Sequence, residues 1–407
     1  RCAGSQDEEV MGADMETYQE RIRRRVDEIL PELSRLSDDL WNNPEYNFKE
    51  YFACKSMSAL LEKYGFAVET GIGGLETSVK GVYDTGKEGP NIAIFGEFDA
   101  VEGMGHSCGH NIMCAISVGA GAALRSVIDE LGGKVTVFGC PAEEGGGGKI
   151  IMAEHGAFDA VDVGMLLHSS CDTVVNDISY SKTDLRVHFY GKKSHAATWP
   201  EEGISALTPV LELFNTLNAL RLEIADRGKI LGIIRDGGDQ AIYIPDHCSA
   251  EFTIRSFSMK YKLELVDRFL EICRHLAELT HTRFEYEPIA LSYEDIRNNP
   301  VLEELLANNF TALGETVKPR DKEMGIGCTD MGNLTHLFPG LQSYVRVGPG
   351  RAHSPEFLAS TGSPEGHRAI AVGACALAMT AVDILQDPAL LQRIRAAFAE
   401  MKARYEG

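Results

Sequence analysis

The chain is predicted to be an α/β protein: a discontinuous catalytic domain, with a mixed sheet flanked by helices, that carries an inserted α+β ferredoxin-like module. Three observations predict this. Buried-looking strands alternate with helices through the first half of the chain. A β-α-β-β-α-β run then occupies about 110 residues. After it, the helix and strand alternation resumes. The expected boundaries are residues 1–182 and 293–407 for the catalytic domain and 183–292 for an inserted lid and dimerisation module. A length of 407 residues, 44% of them hydrophobic, suits two domains with sizeable cores.

Residues 16–39 place Tyr18, Ile22, Val26, Ile29, Leu33 and Leu36 at three- and four-residue steps, an amphipathic helix with a kink expected at Pro31. A second helix covers 48–64 and ends at Gly65. TSVKGVYD, NIAIFGEFDA, KVTVFGC and DVGMLLHS read as strands. Between them fall a small-residue helix over 112–131 and a helix opening at the glycines over 146–155. In the inserted module, DLRVHFYGK, KILGIIRDGG, IYIPDHCSAEFTIRSF and TRFEYEPI are strands. ISALTPVLELFNTLNALRL and MKYKLELVDRFLEICRHLAELT are its helices. VLEELLANNF, QSYVRVGP and PEGHRAIAVGACALAMTAVDIL close the chain as helix, strand and helix. No internal repeat or low-complexity tract is present.

Sixty acidic against 39 basic side chains give a net charge of −21, which excludes the electrostatic footprint of a nucleic-acid binder and disfavours an anionic membrane surface. No apolar run is expected to reach the roughly 20 residues that span a bilayer. A soluble, cytoplasmic protein is expected. Ten cysteines without a CxxC pair, several in apolar stretches such as those around Cys140, Cys273 and Cys375, fit buried thiols in a reducing compartment. The opening RCAGSQDEEVMGAD has no apolar signal core; Arg1 need not be the native start, and a leader upstream of it stays open.

Of twelve histidines, His188, His247, His275, His281 and His336 stand singly and need no function. Three segments differ because each ends a predicted strand, where α/β folds place their sites. EFDAVEGMGHSCGHN brings Asp99, His106, Cys108, His110 and Asn111 past the first buried strand, and Cys-x-His supplies a thiolate and an imidazole around a bend at Gly109. PAEEGGGGK offers adjacent Glu143 and Glu144, either solvent-facing turn charges or a metal ligand beside a catalytic carboxylate. His168 ends DVGMLLHS. A fourth His, His353, stands in the turn GPGRAHSPEF. Cys108, His110, Glu144, His168 and His353 form a set suited to two divalent ions, with the thiolate able to bridge; zinc accepts the mixture readily, and manganese or cobalt also fit. The alternative is a buried polar cluster without metal.

The ordered motifs GEFDA, GHSCGHN, PAEEGGGGK, LLHSS, GKKSHAA, TDMGN and GRAHSPEF resemble the aminoacylase/carboxypeptidase branch of the metallopeptidase family M-twenty, over nearly the whole chain. GHN and EEGGGGK are most similar to its dipeptidase-like and aminobenzoyl-glutamate hydrolase subgroup. The resemblance implies a dinuclear site of Zn2+ or Mn2+ in which Cys108 bridges and His110, Glu144, His168 and His353 complete the ligands. It implies Glu143 as general base toward water and proton donor to the leaving amine. Asp99 is implied to orient a ligand imidazole, and His195 of GKKSHAA to polarise the scissile carbonyl from the lid, across a dimer interface. His106 receives no metal role.

Arg255 in FTIRSF matches a family arginine associated with the substrate carboxylate, its alternative being a strand-end salt bridge. Asp330 in TDMGN is implied to be a substrate contact or to support one. The chain departs from the family where GGDQAIYIP puts Ile242 in the place of a substrate-holding asparagine. The function expected is metal-dependent hydrolysis of the amide bond of dipeptides or N-acyl/aroyl amino acids by a homodimer. The alternatives are a catalytically silent binding descendant and a deacylase or carbamoylase of the same broad family.

Overall fold

The computed structural model describes residues 16–224, 227–320 and 326–406; the opening RCAGSQDEEVMGAD lies outside them. Helix α1 (Tyr18–Asn42) starts at a capping box, in which Thr17 Oγ1 accepts from Glu20 N at 3.2 Å and Glu20 Oε2 from Thr17 N at 2.8 Å. It buries Ile22, Val26, Ile29, Leu33 and Leu36, the stripe its spacing predicts. Pro31 falls inside one continuous helix, on the exposed side.

Next come α2 (Tyr51–Lys63), β1 (Ala67–Thr70), β2 (Val79–Asp84), β3 (Asn91–Glu97), α3 (His110–Leu131), β4 (Lys134–Cys140), α4 (Gly148–Glu154) and β5 (Val163–Ser170). A second group follows: β6 (Ser181–Tyr190), β7 (Ser194–His195), α5 (Leu207–Ile224), β8 (Gly228–Asp236), β9 (Tyr243–Ile244), β10 (His247–Ser256), α6 (Met259–Leu279) and β11 (Arg283–Pro288). The chain closes with α7 (Pro300–Ala312), α8 (Met331–Thr335), β12 (Gly340–Arg346), α9 (Pro355–Thr361), α10 (Pro364–Gln386) and α11 (Pro388–Glu406).

Six strands form one mixed sheet in the order β1-β2-β4-β3-β5-β12. β4, β3, β5 and β12 are mutually parallel, whereas β2 runs antiparallel to β4 and the edge strand β1 antiparallel to β2. β4 and β5 lie on opposite sides of β3, so the connections diverge there and open a crevice at the carboxyl ends of these strands. A separate four-stranded antiparallel sheet has the order β11-β6-β10-β8 and packs α5 and α6 on one face around its own apolar cluster, which includes Phe189, Leu213, Phe252 and Phe269. The long strand expected over IYIPDHCSAEFTIRSF is two: β9 pairs with β7, β10 joins the four-stranded sheet, and Pro245, which has no amide hydrogen to donate, lies between them.

Against expectation, two helices are long and apolar enough by length and composition to cross a membrane, α3 and α10. Both are core helices. α3 is buried between α1 and α10 because its small residues admit close approach. A Cβ on Gly119 would stand 2.6 Å from Leu33 Cδ1 and 3.0 Å from Ala374 Cβ. Gly119→Val is therefore expected to cost about 1–3 kcal/mol through overpacking, although valine outranks glycine as a helix former. Chemical denaturation of the two proteins checks this; a variant as stable as the parent would contradict the packing.

Candidate metal centre

The crevice holds the predicted strand-end residues together. Asp99 and Cys108 follow β3, His110 opens α3, Glu143 and Glu144 follow β4, His168 lies in β5 and His353 follows β12. Local backbone is bent to achieve this. Gly109 has φ 83°, and a Cβ there would come within 2.5 Å of Ser169 Cβ. Ala142 and His353 hold left-handed φ of 56° and 64°, conformations that non-glycine residues adopt only under constraint. The constraint at Ala142 is the buried Glu50, whose Oε1 accepts from Ala142 N at 3.1 Å. At His353 it is the bond from His353 N to Ser107 O at 2.8 Å, which ties the two ligand loops together.

Donor atoms of Cys108, His110 and His168 lie within 4.8 Å of one another, and so do those of Cys108, Glu144 and His353. The two triads share Cys108. Backbone carbonyls set both inner imidazoles: Asp99 O stands 2.8 Å from His110 Nδ1, and Ser169 O stands 2.8 Å from His168 Nδ1. A carbonyl only accepts, so each Nδ1 carries the proton and each Nε2 turns its lone pair inward. His168 Nε2 is 3.7 Å from Cys108 Sγ. Asp99 also links the triads, its Oδ1 lying 3.1 Å from His110 Nδ1 while Oδ2 accepts from Glu144 N at 3.0 Å.

The donors fit divalent ions. His110 Nε2 and Glu144 Oε1 are buried without a hydrogen-bond partner; His353 Nε2 lies 3.2 Å from Glu144 Oε1 but is not aligned to bond it. Burial pushes the Cys108 thiol up, only partly offset by His110, so its thiolate calls for a cation beside it. Burial likewise lifts Glu143 well above the carboxylate range, reinforced by the charges of Glu97 and Asp330. His106 is buried and pushed down to about 3, chiefly by burial, which keeps it uncharged and gives it no part in the triads.

A cleft of about 490 Å3 opens over Cys108, Glu143, Glu144, His168 and His353. Its far wall is a buried polar cluster: Asp177 accepts from Arg320 at 2.5 Å and from Tyr344 Oη at 2.9 Å. The Tyr344 ring in turn packs 5.4 Å from that of His168. Asp330 does not reach this cleft. It is fully buried, with Oδ1 2.5 Å from Lys149 Nζ and Oδ2 accepting from Lys149 N at 2.9 Å. Arg255 stands outside the lining, its Nε buried without an acceptor, flanked in register by Lys182 and Lys229. Its charge is felt at Cys328, a lining residue, where it opposes the rise that burial causes.

His195 is also outside the lining, on β7. Its Nδ1 accepts from Thr198 Oγ1 at 3.0 Å and from the amides of Ala197 and Thr198 at 3.3 and 3.2 Å. In the neutral ring this leaves Nε2–H as a free donor. Two groups that sequence reasoning passed over are Glu97 and Lys149, both fully buried below Glu143. Each stands inside a motif, GEFDA and GGGGK, but nothing in their spacing announces that they pair.

A doubly wound sheet with metal-fitting triads at its strand ends defines a class, the metal-dependent hydrolases. Residues 83–377 match Peptidase family M20/M25/M40, and the chain belongs to that family. It is 31% identical over 403 residues to the Xaa-Arg dipeptidase of Mus musculus, covering 95% of this chain and 93% of that protein. It is 28% identical over 271 residues to one subunit of the p-aminobenzoyl-glutamate hydrolase of Escherichia coli (strain K12), covering 61% of this chain and 56% of that protein. A dinuclear metal binding peptidase of this family from Bacillus subtilis shares the fold at a TM-score of 0.70 and 20% identity, over 88% of this chain and 99% of that one.

The place of Cys108 in both triads has a stoichiometric consequence for any metal held there. Cys108→Ala is expected to lose both ions, whereas Glu144→Ala should keep about one, on the His110 and His168 side. Elemental analysis after gel filtration distinguishes them; equal metal content in the two variants would contradict the sharing.

Proposed function

We propose that this chain is a metal-dependent amidohydrolase that cleaves dipeptides or N-acyl/aroyl amino acids bearing a free carboxylate. The observation that carries the reading is the pair of triads joined at Cys108 with Glu143 beside them. Two divalent ions, zinc favoured by thiolate and imidazole and manganese by carboxylate, would supply Lewis-acid polarisation of the carbonyl and an acidified water. Cys108, His110 and His168 would hold one ion, and Cys108, Glu144 and His353 the other.

Glu143 is the general base. Its carboxylate lies within 4.8 Å of donor atoms of Glu97 and His110, and the backbone carbonyl of the same residue accepts from Tyr293 Oη at 3.0 Å, which steadies the turn. Burial raises its affinity for a proton, which suits a group that takes one from water and returns it to the leaving amine. Asp99 orients His110 and, through the Glu144 amide, sets the distance between the triads.

Residues 183–292 are proposed as the lid and dimer contact, and residues 1–182 and 293–407 as the catalytic domain. Supporting this, β8 is an edge strand with Leu231, Ile233 and Ile234 exposed, an unpaired edge that a second copy can cover. His195 would then bring its Nε2–H to the oxyanion on closure, and Arg255 would attract the substrate carboxylate. Ile242, half exposed beside the His195 ribbon, favours an apolar group on the substrate at the place where the family commonly has an asparagine. The described cysteines are all unpaired, which supports a reducing, cytoplasmic setting.

Metal content and hydrolysis of a dipeptide and N-acyl amino acid panel test the reading together. About two ions per chain with chelator-sensitive cleavage is the expected result. Glu143→Gln should keep the metal and lower kcat by about 10²–10⁴-fold. Metal without cleavage of any amide would favour a silent binding descendant, and no metal after reconstitution would overturn the proposal.

A further inference from the structure

The motif TDMGN is stitched to two other segments of the chain. On one side Asp330 holds the head of α4, its Oδ2 accepting from Lys149 N at 2.9 Å and its Oδ1 2.5 Å from Lys149 Nζ. That helix follows the turn that carries Glu143. On the other side Gly332 and Asn333, in α8, meet residues 292–294. A Cβ on Gly332 would collide with Glu294 O, so glycine is what admits the approach. Asn333 then brackets Tyr293 as a neighbouring strand would. Its Oδ1 accepts from Glu294 N at 3.0 Å, and its Nδ2 donates to Ser292 O at 3.2 Å.

Tyr293 itself sits at a junction. Two segments join the four-stranded sheet to the rest of the chain, one entering β6 and one leaving β11, and they pair at Lys182 and Tyr293. Lys182 N donates to Tyr293 O at 2.8 Å, and Tyr293 N donates to Lys182 O at 3.1 Å. The ammonium of Lys182 lies 4.5 Å from the centroid of the Tyr293 ring. The buried ring packs on the glycine run after Glu144, where a Cβ on Gly147 would fall 3.4 Å from Tyr293 Cε1. Its hydroxyl donates to Glu143 O at 3.0 Å.

Four consecutive glycines follow Glu144, so the backbone there has little stiffness of its own. The turn before them is held by three side chains from elsewhere: Glu50 on Ala142 N, Asp99 on Glu144 N and Tyr293 on Glu143 O. We propose that Tyr293 is a positioning residue for the Glu143 carboxylate, with Asn333 holding Tyr293 in place. This rests on the reading of Glu143 as general base. A displacement of about 1 Å can cost about 100-fold in rate, so a loosened turn shows in turnover before it shows in binding. The attachment of the four-stranded sheet and the setting of the base then share one residue.

Tyr293→Phe removes the hydroxyl and keeps the ring. Kinetics of the zinc-loaded protein, on the dipeptide that the wild type cleaves fastest, test the assignment. The expected result is a kcat lowered about 10-fold, a KM within about 2-fold and an unchanged metal content. In a Glu143→Gln background the same substitution should lower the residual turnover no further, because the group it acts through is gone. Asn333→Asp keeps the acceptor for Glu294 N and loses the donor to Ser292 O; it should lower kcat too, and less than additively with Tyr293→Phe. If Asn333→Asp fails to fold by circular dichroism, Tyr293→Phe in the two backgrounds decides alone. An unchanged kcat with only a lower melting temperature would make the bond merely structural and overturn the proposal. Metal lost in step with turnover, or an equal fall in both backgrounds, would overturn it while leaving Glu143 as the base; fully additive effects would remove Asn333 from it. A Glu143→Gln protein that turns over like the wild type, or a wild type that cleaves no amide, overturns the underlying reading and this assignment with it.

Discussion

Ionisable groups gathered in a buried crevice repel one another and lose their hydration, and that cost is the constraint to which the rest of this structure answers. Cys108, His110 and Glu144 turn buried donor atoms into the crevice and Glu97 lies beside His110, and two of the oxygens and one nitrogen there have no hydrogen-bond partner. Without compensation such a cluster would be strongly destabilising. The compensation comes in two forms. Lys149 pairs with both Glu97 and Asp330 and offsets one of their two charges, and divalent cations would satisfy the lone pairs in the crevice.

The fold supplies the rigidity that this arrangement demands. Parallel strands β3, β4, β5 and β12 deliver their carboxyl ends to one edge, where the direction of the connections reverses. At the site, the left-handed backbone falls in the loops that leave those ends, at Ala142 and His353, and each loop donates its amide to a buried carboxylate or to a neighbouring ligand loop. Asp99 couples the two triads through one carboxylate. A shift at either triad is therefore passed to the other through bonds of about 3 Å, which is how a preorganised site keeps its distances. The second sheet has its own apolar core, separate from the one behind these clamps.

Much of this was legible in the sequence where local chemistry and periodicity agreed. The stripe of α1, the buried strands and the strand-end positions of Cys108, Glu144, His168 and His353 follow from spacing, because a helix face and a strand terminus are local properties. What was not legible depends on contacts between distant segments. Glu97 and Lys149 are 52 positions apart and Lys149 and Asp330 are 181 apart, so their pairing leaves no pattern to read. Asp330 stood in its motif as a substrate contact or the support of one, and its pairing with Lys149 could not be read there. The break between β9 and β10 was signalled by Pro245 but overridden by the apolar run around it. α3 and α10 reach membrane-like length and composition because a core helix buried on nearly every side has no need for a polar face.

The proposed site turns on one thiolate, that of Cys108, being common to two ions. X-ray absorption at the zinc edge, on protein loaded with two equivalents of zinc, measures this most directly. The account predicts about one sulfur per zinc at ~2.3 Å even though one cysteine serves both, together with a zinc–zinc contribution. A spectrum with half that sulfur number and no second metal in range would place the ions apart and contradict the sharing of Cys108.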